Sequence, residues 1–274
     1  MSAVLELRDA ALSYGRHHLW RGLDLALGAG ELVAVLGPNG SGKTSLLRVV
    51  LGLEPLTGGS ALVAGRPVRR GAPDVGYVPQ QRAFDATSPL RARDLVGLGI
   101  DGHRWGTGLP SRRRRARVDE LLASVGASAY ADVPVGLLSG GEQQRLRIAQ
   151  ALADDPRLLL CDEPLLSLDI PAQRAMGALI DSRRREAGTG VLFVTHEINP
   201  VLDMVDRVLY LIDGAFRLGT PDEVMTSRTL SELYRSPVEV VRSGGRLVVL
   251  GAHERSVAYD DHHHLAPPAL RRTS

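Results

Sequence analysis

A glycine-rich segment between an apolar run and a helical pattern constrains this chain more than any other feature. Gly37–Thr44, GPNGSGKT, fits the pattern G-x-x-x-x-G-K-[ST] at every position. Leu32–Leu36, LVAVL, precedes it and is typical of a parallel strand that is buried on both faces. Thr44–Leu53 follows with helical spacing. This order predicts an α/β domain with a phosphate-binding loop at the end of a strand.

Each part of this loop suits a particular interaction with a phosphate chain. Its glycines allow successive backbone N–H groups to face an anion, and the following helix adds its positive dipole end. Lys43 is expected to reach the β- and γ-phosphates of ATP, and Thr44 to offer its hydroxyl to Mg²⁺. The predicted phosphate-binding residues are Gly37, Pro38, Asn39, Gly40, Ser41, Gly42, Lys43 and Thr44. A glycine-rich turn that merely matches the pattern is the alternative.

Two carboxylates follow a second apolar strand pattern. The run Leu158–Cys161 leads directly into Asp162 and Glu163. Because neighbouring strand residues point in opposite directions, we expect the two acids to have different roles. Asp162 suits the Mg²⁺ shell, and Glu163 suits positioning and activating a water for attack on the γ-phosphate. An acidic surface turn is the alternative, and the phosphate-binding loop upstream disfavours it.

Strand and helix patterns alternate along the rest of the chain, as in a layered α/β domain. Strands are predicted at Ala3–Leu7, Leu23–Leu27 and Val191–Thr195, and helices at Arg91–Leu98, Arg112–Val125, Gly141–Ala153 and Pro171–Glu186. The middle helices indicate a helical insertion at about 82–150. Val238–Val241 and Leu247–Leu250 flank SGGR, which predicts a β-hairpin.

Composition narrows the class of protein. The chain has 274 residues, of which 44% are hydrophobic and 23% charged, as in a globular protein. A net charge of +2 does not by itself indicate nucleic acid binding, and none is expected. A single cysteine, Cys161, cannot form an internal disulfide. We find no signal-peptide pattern and no apolar run of about 18–20 residues, so a membrane role is expected to require a partner.

The segment before the acidic strand carries a helix-start signal. In Leu138–Gln144, LSGGEQQ, Ser139 is a good N-cap residue, and Glu142 completes an S-x-x-E capping box. The intervening glycines free backbone N–H groups to face an anion. From the residues alone, a simple capped helix is the favoured interpretation.

The same segment resembles the signature loop of ABC-family ATPases, whose usual form is LSGGQ, so Glu142 is a departure. The resemblance covers roughly residues 3–225 and rests on several motifs in order. It implies a P-loop NTPase fold of the ABC nucleotide-binding type, with an antiparallel β subdomain and a helical insertion. It also implies hydrolysis of ATP to ADP and phosphate, with Mg²⁺ as cofactor.

The resemblance assigns roles that the residues alone do not. Tyr14 matches an aromatic that stacks on adenine, and Gln80 matches a glutamine that touches Mg²⁺ and the water and senses a membrane partner. Asp169, in Ser167-Leu168-Asp169, matches a residue that contacts the opposite subunit, and His196 matches a histidine that meets the γ-phosphate. In a head-to-tail homodimer, ATP would be contacted from the second subunit by the signature residues Ser139, Gly140, Gly141 and Glu142.

The resemblance also implies partners. A separate integral membrane permease and an extracytoplasmic substrate-binding protein are expected, with the chain at the cytoplasmic face of the membrane. Residues 77–96 and 220–251 resemble the manganese and zinc importers of the family. An iron-chelate or efflux transporter is an alternative, and a soluble ABC ATPase outside transport is disfavoured because long coiled-coil or zinc insertions are missing.

The predicted boundaries are 1–235 for the ATPase domain, 236–252 for a hairpin extension and 253–274 for a disordered tail. His253 and the run Asp260–His264 could bind metal, but a solvated tail is the favoured interpretation.

The cluster Arg112–Arg115, with Arg117, is interpreted as a solvated helix face paired with carboxylates such as Asp119 and Glu120, with anionic lipid contact as the alternative.

Overall fold

The computed structural model describes residues 3–80, 84–101, 111–166 and 168–251. The strands are β1 Ala3–Tyr14, β2 His17–Gly28, β3 Leu32–Leu36, β4 Gly58–Val63, β5 Arg66–Pro67, β6 Val75–Val78, β7 Leu158–Asp162, β8 Gly190–Val194, β9 Arg207–Ile212, β10 Ala215–Gly219, β11 Glu239–Ser243 and β12 Arg246–Leu250. The α-helices are α1 Lys43–Val50, α2 Ala92–Asp101, α3 Arg112–Ser124, α4 Gly140–Ala151, α5 Ile170–Ala187, α6 Pro221–Val224 and α7 Ser227–Tyr234.

Two sheets form the body of the protein. A six-stranded sheet has the order β10-β9-β3-β8-β7-β6, in which β10 is antiparallel to β9 and the other neighbouring strands are parallel. A four-stranded antiparallel sheet has the order β2-β1-β4-β5. The parallel strands place their carboxyl ends at one edge, where ligands bind in open α/β sheets.

The continuous apolar runs arise because the central strands are covered on both faces. In β3, Leu32, Ala34 and Leu36 belong to one hydrophobic core, while Val33 and Val35 belong to a second core on the opposite face. The first core contains side chains of the helical segment, and the second contains side chains of β1, β2 and α1. The phosphate-binding loop therefore leaves a strand that is fixed from both sides.

Helices α2, α3 and α4 form the middle segment, as the sequence predicts. Their apolar faces join the first core through buried residues such as Val96, Val118 and Leu146. The polar face of α3 carries the arginine cluster, in which Arg117 forms ion pairs with Glu120 (3.0 Å) and Asp155 (2.7 Å). This pairing with Glu120 agrees with the interpretation of a solvated face.

The hairpin β11–β12 packs on the body of the protein. Asn199 binds the backbone of Leu247 in both directions, donating to its carbonyl (2.9 Å) and accepting from its N–H (2.8 Å). Leu247 and Val238 are buried in the first core. The hairpin therefore continues that core, and the histidine-containing tail lies outside the described residues.

Several element boundaries differ from the sequence prediction. Both β1 and β2 span 12 residues, longer than Ala3–Leu7 and Leu23–Leu27, because irregular pairing keeps them together past polar positions. Helix α1 ends at Val50 rather than Leu53, since Gly52 adopts a left-handed φ of +67°. Among the helices that the structure describes, none combines the length and the apolar character needed to cross a bilayer.

Candidate functional site

The loop Gly37–Thr44 joins β3 to α1 in a conformation that requires glycine. Gly42, the N-cap of α1, has a φ of +95°, a backbone angle that residues other than glycine rarely adopt. A Cβ on Gly37 would lie 2.0 Å from the Leu211 carbonyl oxygen, so only glycine fits there. The loop therefore depends on specific glycines.

Lys43 is folded into this loop. Its ammonium donates to the carbonyl oxygens of Gly37 (2.7 Å) and Pro38 (2.8 Å), and the residue is buried. Burial lowers the pKa of Lys43, while the nearby carboxylates of Glu163 and Asp162 act in the opposite direction. The loop thus holds a partly desolvated cation between carbonyl oxygens and two acids.

Asp162 is the last residue of β7 and is buried. Its Oδ2 accepts a hydrogen bond from the Tyr77 hydroxyl at 3.3 Å. Burial, and then the charge of Glu163, raises the pKa of Asp162. Burial and the charge of Asp162 also raise the pKa of Tyr77 to about 12. A cation beside Asp162 would relieve this unfavourable accumulation of negative charge.

Glu163 is not a strand residue, which corrects the reasoning from alternating strand positions. It follows β7 with a left-handed φ of +48°, and its N–H donates to the Val194 carbonyl at 3.0 Å. Its carboxylate is held from two sides. The Gln80 amide donates to Oε2 at 3.0 Å, and His196 Nε2 contacts Oε1. Three residues predicted to share one catalytic task therefore meet at one carboxylate.

A cavity of about 330 Å³ opens over the loop. Its lining residues are Tyr14, His17, Leu19, Asn39, Gly40, Gly42, Lys43, Thr44, Ser45 and Glu163. Tyr14, at the end of β1, is about half exposed. The cavity thus joins the predicted aromatic residue, the phosphate-binding loop and the carboxylate Glu163 in one continuous space.

Three residues that contact the predicted site residues were not predicted from the sequence. Tyr77 contacts Asp162, and its position two residues after the start of β6, beside β7, was the available signal. Glu54 accepts a hydrogen bond from the Tyr14 hydroxyl, and Ser45 lies 3.4 Å from the same oxygen. No sequence motif marks Glu54, because the contact spans 40 residues.

The signature residues Ser139, Gly140, Gly141 and Glu142 do not line this cavity. Ser139 caps α4 in a complete capping box, as predicted. Both its N–H (2.8 Å) and its hydroxyl (2.7 Å) donate to Glu142 Oε2. Asp169 caps α5 by accepting from the Ala172 N–H at 2.8 Å. Ser167 lies outside the described residues.

The residues predicted for Mg²⁺ form a set of oxygen donors, which this hard cation prefers. Asp162 offers a buried carboxylate and Thr44 an exposed hydroxyl. The amide nitrogen of Gln80 donates a hydrogen bond to Glu163, which leaves the amide oxygen free to act as a metal ligand. The site chemistry therefore fits Mg²⁺ through Thr44, Gln80 and Asp162.

Sequence comparison identifies relatives across most of the chain. The family described as ABC transporter matches residues 20–166. The zinc import ATP-binding protein ZnuC of Magnetococcus marinus is 34% identical over 84% of this chain and 82% of its own length. The manganese transport system ATP-binding protein MntB of Halalkalibacterium halodurans is 31% identical over 86% of this chain and 93% of its own length. The sulfate/thiosulfate import ATP-binding protein CysA of Nocardia farcinica is 35% identical over 89% of this chain and 73% of its own length.

Solved structures show the same fold. A chain from a metal-chelate type ABC transporter in an inward-facing conformation has a TM-score of 0.77 at 25% identity, covering 90% of this chain and 96% of that one. The ATP-binding cassette MJ0796, solved as a dimer with ADP and phosphate, has a TM-score of 0.66 at 28% identity, covering 79% and 98%.

The comparisons and the architecture agree with each other. The predicted P-loop NTPase fold, with its antiparallel β subdomain and helical insertion, is confirmed. The family match over residues 20–166 includes both the phosphate-binding loop and the acidic pair, Asp162 and Glu163. The chain therefore belongs to the ABC transporter family, as an ATP-binding and ATP-hydrolysing subunit.

Proposed function

We propose that the loop Gly37–Thr44 binds the phosphates of ATP while Tyr14 stacks on the adenine. The support is the cavity that joins them. Lys43 already points its ammonium into the loop, where it would bind β- and γ-phosphate oxygens. Within this proposal, Thr44, Asp162 and Gln80 hold Mg²⁺, which would neutralise charge on the phosphates.

Glu163 orients the attacking water and accepts its proton as the water oxygen bonds to the γ-phosphorus and the bond to ADP breaks. The two contacts from Gln80 and His196 support this role, since they fix the carboxylate in one orientation. The products are ADP and inorganic phosphate. His196, half exposed beside Glu163, would donate to the γ-phosphate as charge develops.

Two copies of the chain complete each ATP site. Ser139–Glu142 lie away from the phosphate cavity of their own protomer, which favours a contact with ATP bound to the other protomer. Asp169 would contact the opposite subunit in the same arrangement. The dimeric MJ0796 cassette, 28% identical to this chain, is a precedent.

The dimer powers import of a divalent metal ion, zinc or manganese, through a separate permease. The observation that carries this proposal is the similarity to zinc and manganese import subunits over more than four-fifths of the chain. A substrate-binding protein outside the membrane would deliver the ion, and the ATPase would dock on the cytoplasmic side of the permease. The sulfate importer relative, 35% identical, makes a different cargo the second candidate.

Metal uptake in a strain lacking this chain tests the cargo. We expect radioactive zinc or manganese uptake to fall several-fold and to return with the wild-type chain but not with Glu163→Gln. Sulfate uptake serves as the parallel measurement. A defect in sulfate uptake with normal zinc and manganese uptake would contradict the metal assignment and support the second candidate.

The carboxylate of Glu142 is expected to weaken the closed dimer. It accepts the hydrogen bond of the Ser139 hydroxyl, and it places negative charge where the γ-phosphate of ATP bound to the partner would approach. Glu142→Gln retains the capping box, because glutamine can also accept from the Ser139 N–H. Since exposed charge pairs contribute about 0.2–1 kcal/mol, we expect half-maximal dimerisation at roughly two- to fivefold less ATP.

Sedimentation velocity against ATP concentration, in a Glu163→Gln background, measures this effect. Glu223 forms the same capping box with Thr220 at the start of α6, which makes Glu223→Gln the matched control. An equal shift in both variants, or no shift with Glu142→Gln, would rule out the charge effect.

A further inference from the structure

The ring of Tyr14 stands at an exposed position with few constraints of its own. Tyr14 is the last residue of β1, it is followed by the turn at Gly15 and Arg16, and the residue is 49% exposed. Strand pairing fixes its backbone through the partner His17. The direction of the ring over the cavity must therefore be set by contacts of the side chain.

Those contacts are made by the phenolic hydroxyl. The hydroxyl donates to Glu54 Oε1 and lies 3.4 Å from Ser45 Oγ. Ser45 is in the first turn of α1, directly after Thr44 of the phosphate-binding loop. The far end of the ring is thus attached to the same helix that carries the phosphate-binding residues.

Glu54 follows a turn whose backbone is hydrogen-bonded to α1. The turn that precedes it continues the helix through backbone bonds from Gly52 to Val49 and from Leu53 to Arg48, each 2.9 Å. Gly52 packs so tightly that a Cβ there would lie 2.4 Å from the Arg69 carbonyl carbon. Glu54 follows this turn directly and is half-buried, so its carboxylate lies beside the end of α1.

We propose that Glu54 is a positioning residue for the nucleotide base. By accepting from the Tyr14 hydroxyl, it fixes the distance and angle between the aromatic ring and the phosphate-binding loop, which leads directly into α1. ATP then meets a ring that is already oriented. The inference rests on the proposed stacking of Tyr14 on adenine.

The expected effect is on affinity rather than on chemistry. An untethered ring must lose rotamer freedom when the base binds, and immobilising one such side chain corresponds to roughly two- to tenfold in affinity. Glu54→Ala should therefore raise the KM for ATP by that factor and leave kcat unchanged. Glu54→Gln should restore most of the affinity, because its amide oxygen can still accept from the phenol.

The decisive measurement compares two ligands by isothermal titration calorimetry of the full chain with Mg²⁺. One ligand is the non-hydrolysable analogue AMP-PNP, and the other is tripolyphosphate, which has no base. Glu54→Ala and Tyr14→Phe should each weaken AMP-PNP by roughly two- to tenfold and leave tripolyphosphate binding unchanged. The double variant should lose no more than either single variant.

Tyr234→Phe is the matched control, since it removes another hydrogen-bonded phenol, 2.8 Å from the Tyr210 hydroxyl, outside the cavity. Unchanged AMP-PNP affinity in Glu54→Ala, or an equal loss for tripolyphosphate, would overturn the positioning role. Tyr14→Ala separates the two proposals. If it leaves AMP-PNP binding intact, the adenine stacking fails; if it weakens binding while Glu54→Ala and Tyr14→Phe do not, only the role of Glu54 fails.

Discussion

Glu163→Gln is expected to lower the rate of ATP hydrolysis by at least about 10²- to 10⁴-fold, the contribution typical of general base catalysis. The amide cannot accept a proton from water, yet it has the size of the carboxylate it replaces. The left-handed backbone at Glu163 and its N–H bond to Val194 do not depend on the charge, so the fold should be retained. Phosphate release and ATP affinity, measured on the same preparation, test this expectation.

ATP affinity of the Glu163→Gln chain should remain within a few-fold of wild type, and ATP should trap it as a dimer. Glu186→Gln is the control, because Glu186 is an exposed residue of α5 whose carboxylate binds only Ser182 among the described contacts. Hydrolysis at the wild-type rate in Glu163→Gln would refute the role given to this carboxylate.

Lys43→Ala is expected to weaken ATP binding by about 10²-fold or more. The ammonium would form charge-assisted hydrogen bonds to phosphate, each stronger than a neutral bond by roughly a factor of two. Its removal also takes away the ammonium donor to the Gly37 and Pro38 carbonyl oxygens, of which Pro38 keeps the Ser41 N–H. Binding of a fluorescent ATP analogue measures the loss, and Arg174→Ala, which removes an exposed cation on α5, should bind as wild type.

Lys43 is the only lysine in the sequence, which allows an independent readout. A chain labelled with ¹⁵N at the lysine side chain should give a single ammonium resonance from this site. Because burial lowers the pKa of Lys43, the resonance should titrate below the usual lysine range, and ATP should shift it. Nucleotide affinity equal to wild type in Lys43→Ala, with no shift of the resonance in wild type, would contradict the phosphate-binding assignment.

Local patterns were sufficient for the phosphate-binding loop and the strands around it. The run Leu32–Leu36 predicted a strand covered on both faces, and its residues divide between two cores. The capping box of Ser139 and Glu142 was likewise readable, since both partners lie within one turn. Such features depend on neighbours in sequence, so the sequence alone contains them.

Features that depend on distant partners were not predictable in the same way. The Asp213-Gly214 turn marks the β9–β10 hairpin locally, but β9 becomes an interior strand of the parallel sheet only by pairing with β3. The contact of Tyr77 with Asp162 spans 85 residues. Glu163 was assigned to a strand, whereas its left-handed conformation is set by the junction between β7 and β8. These properties come from the sheet order rather than from local propensity.

The most direct test of the account is complementation between two defective chains. Ser139→Ala should be unable to close on the partner's ATP, and Glu163→Gln should close without hydrolysis. A mixed dimer contains one site with both defects and one site with an intact loop, carboxylate and signature serine. Phosphate release from an equimolar mixture, prepared before ATP is added, should therefore clearly exceed the sum of the two chains assayed separately. A mixture no more active than that sum would contradict an ATP site built from two copies of this chain.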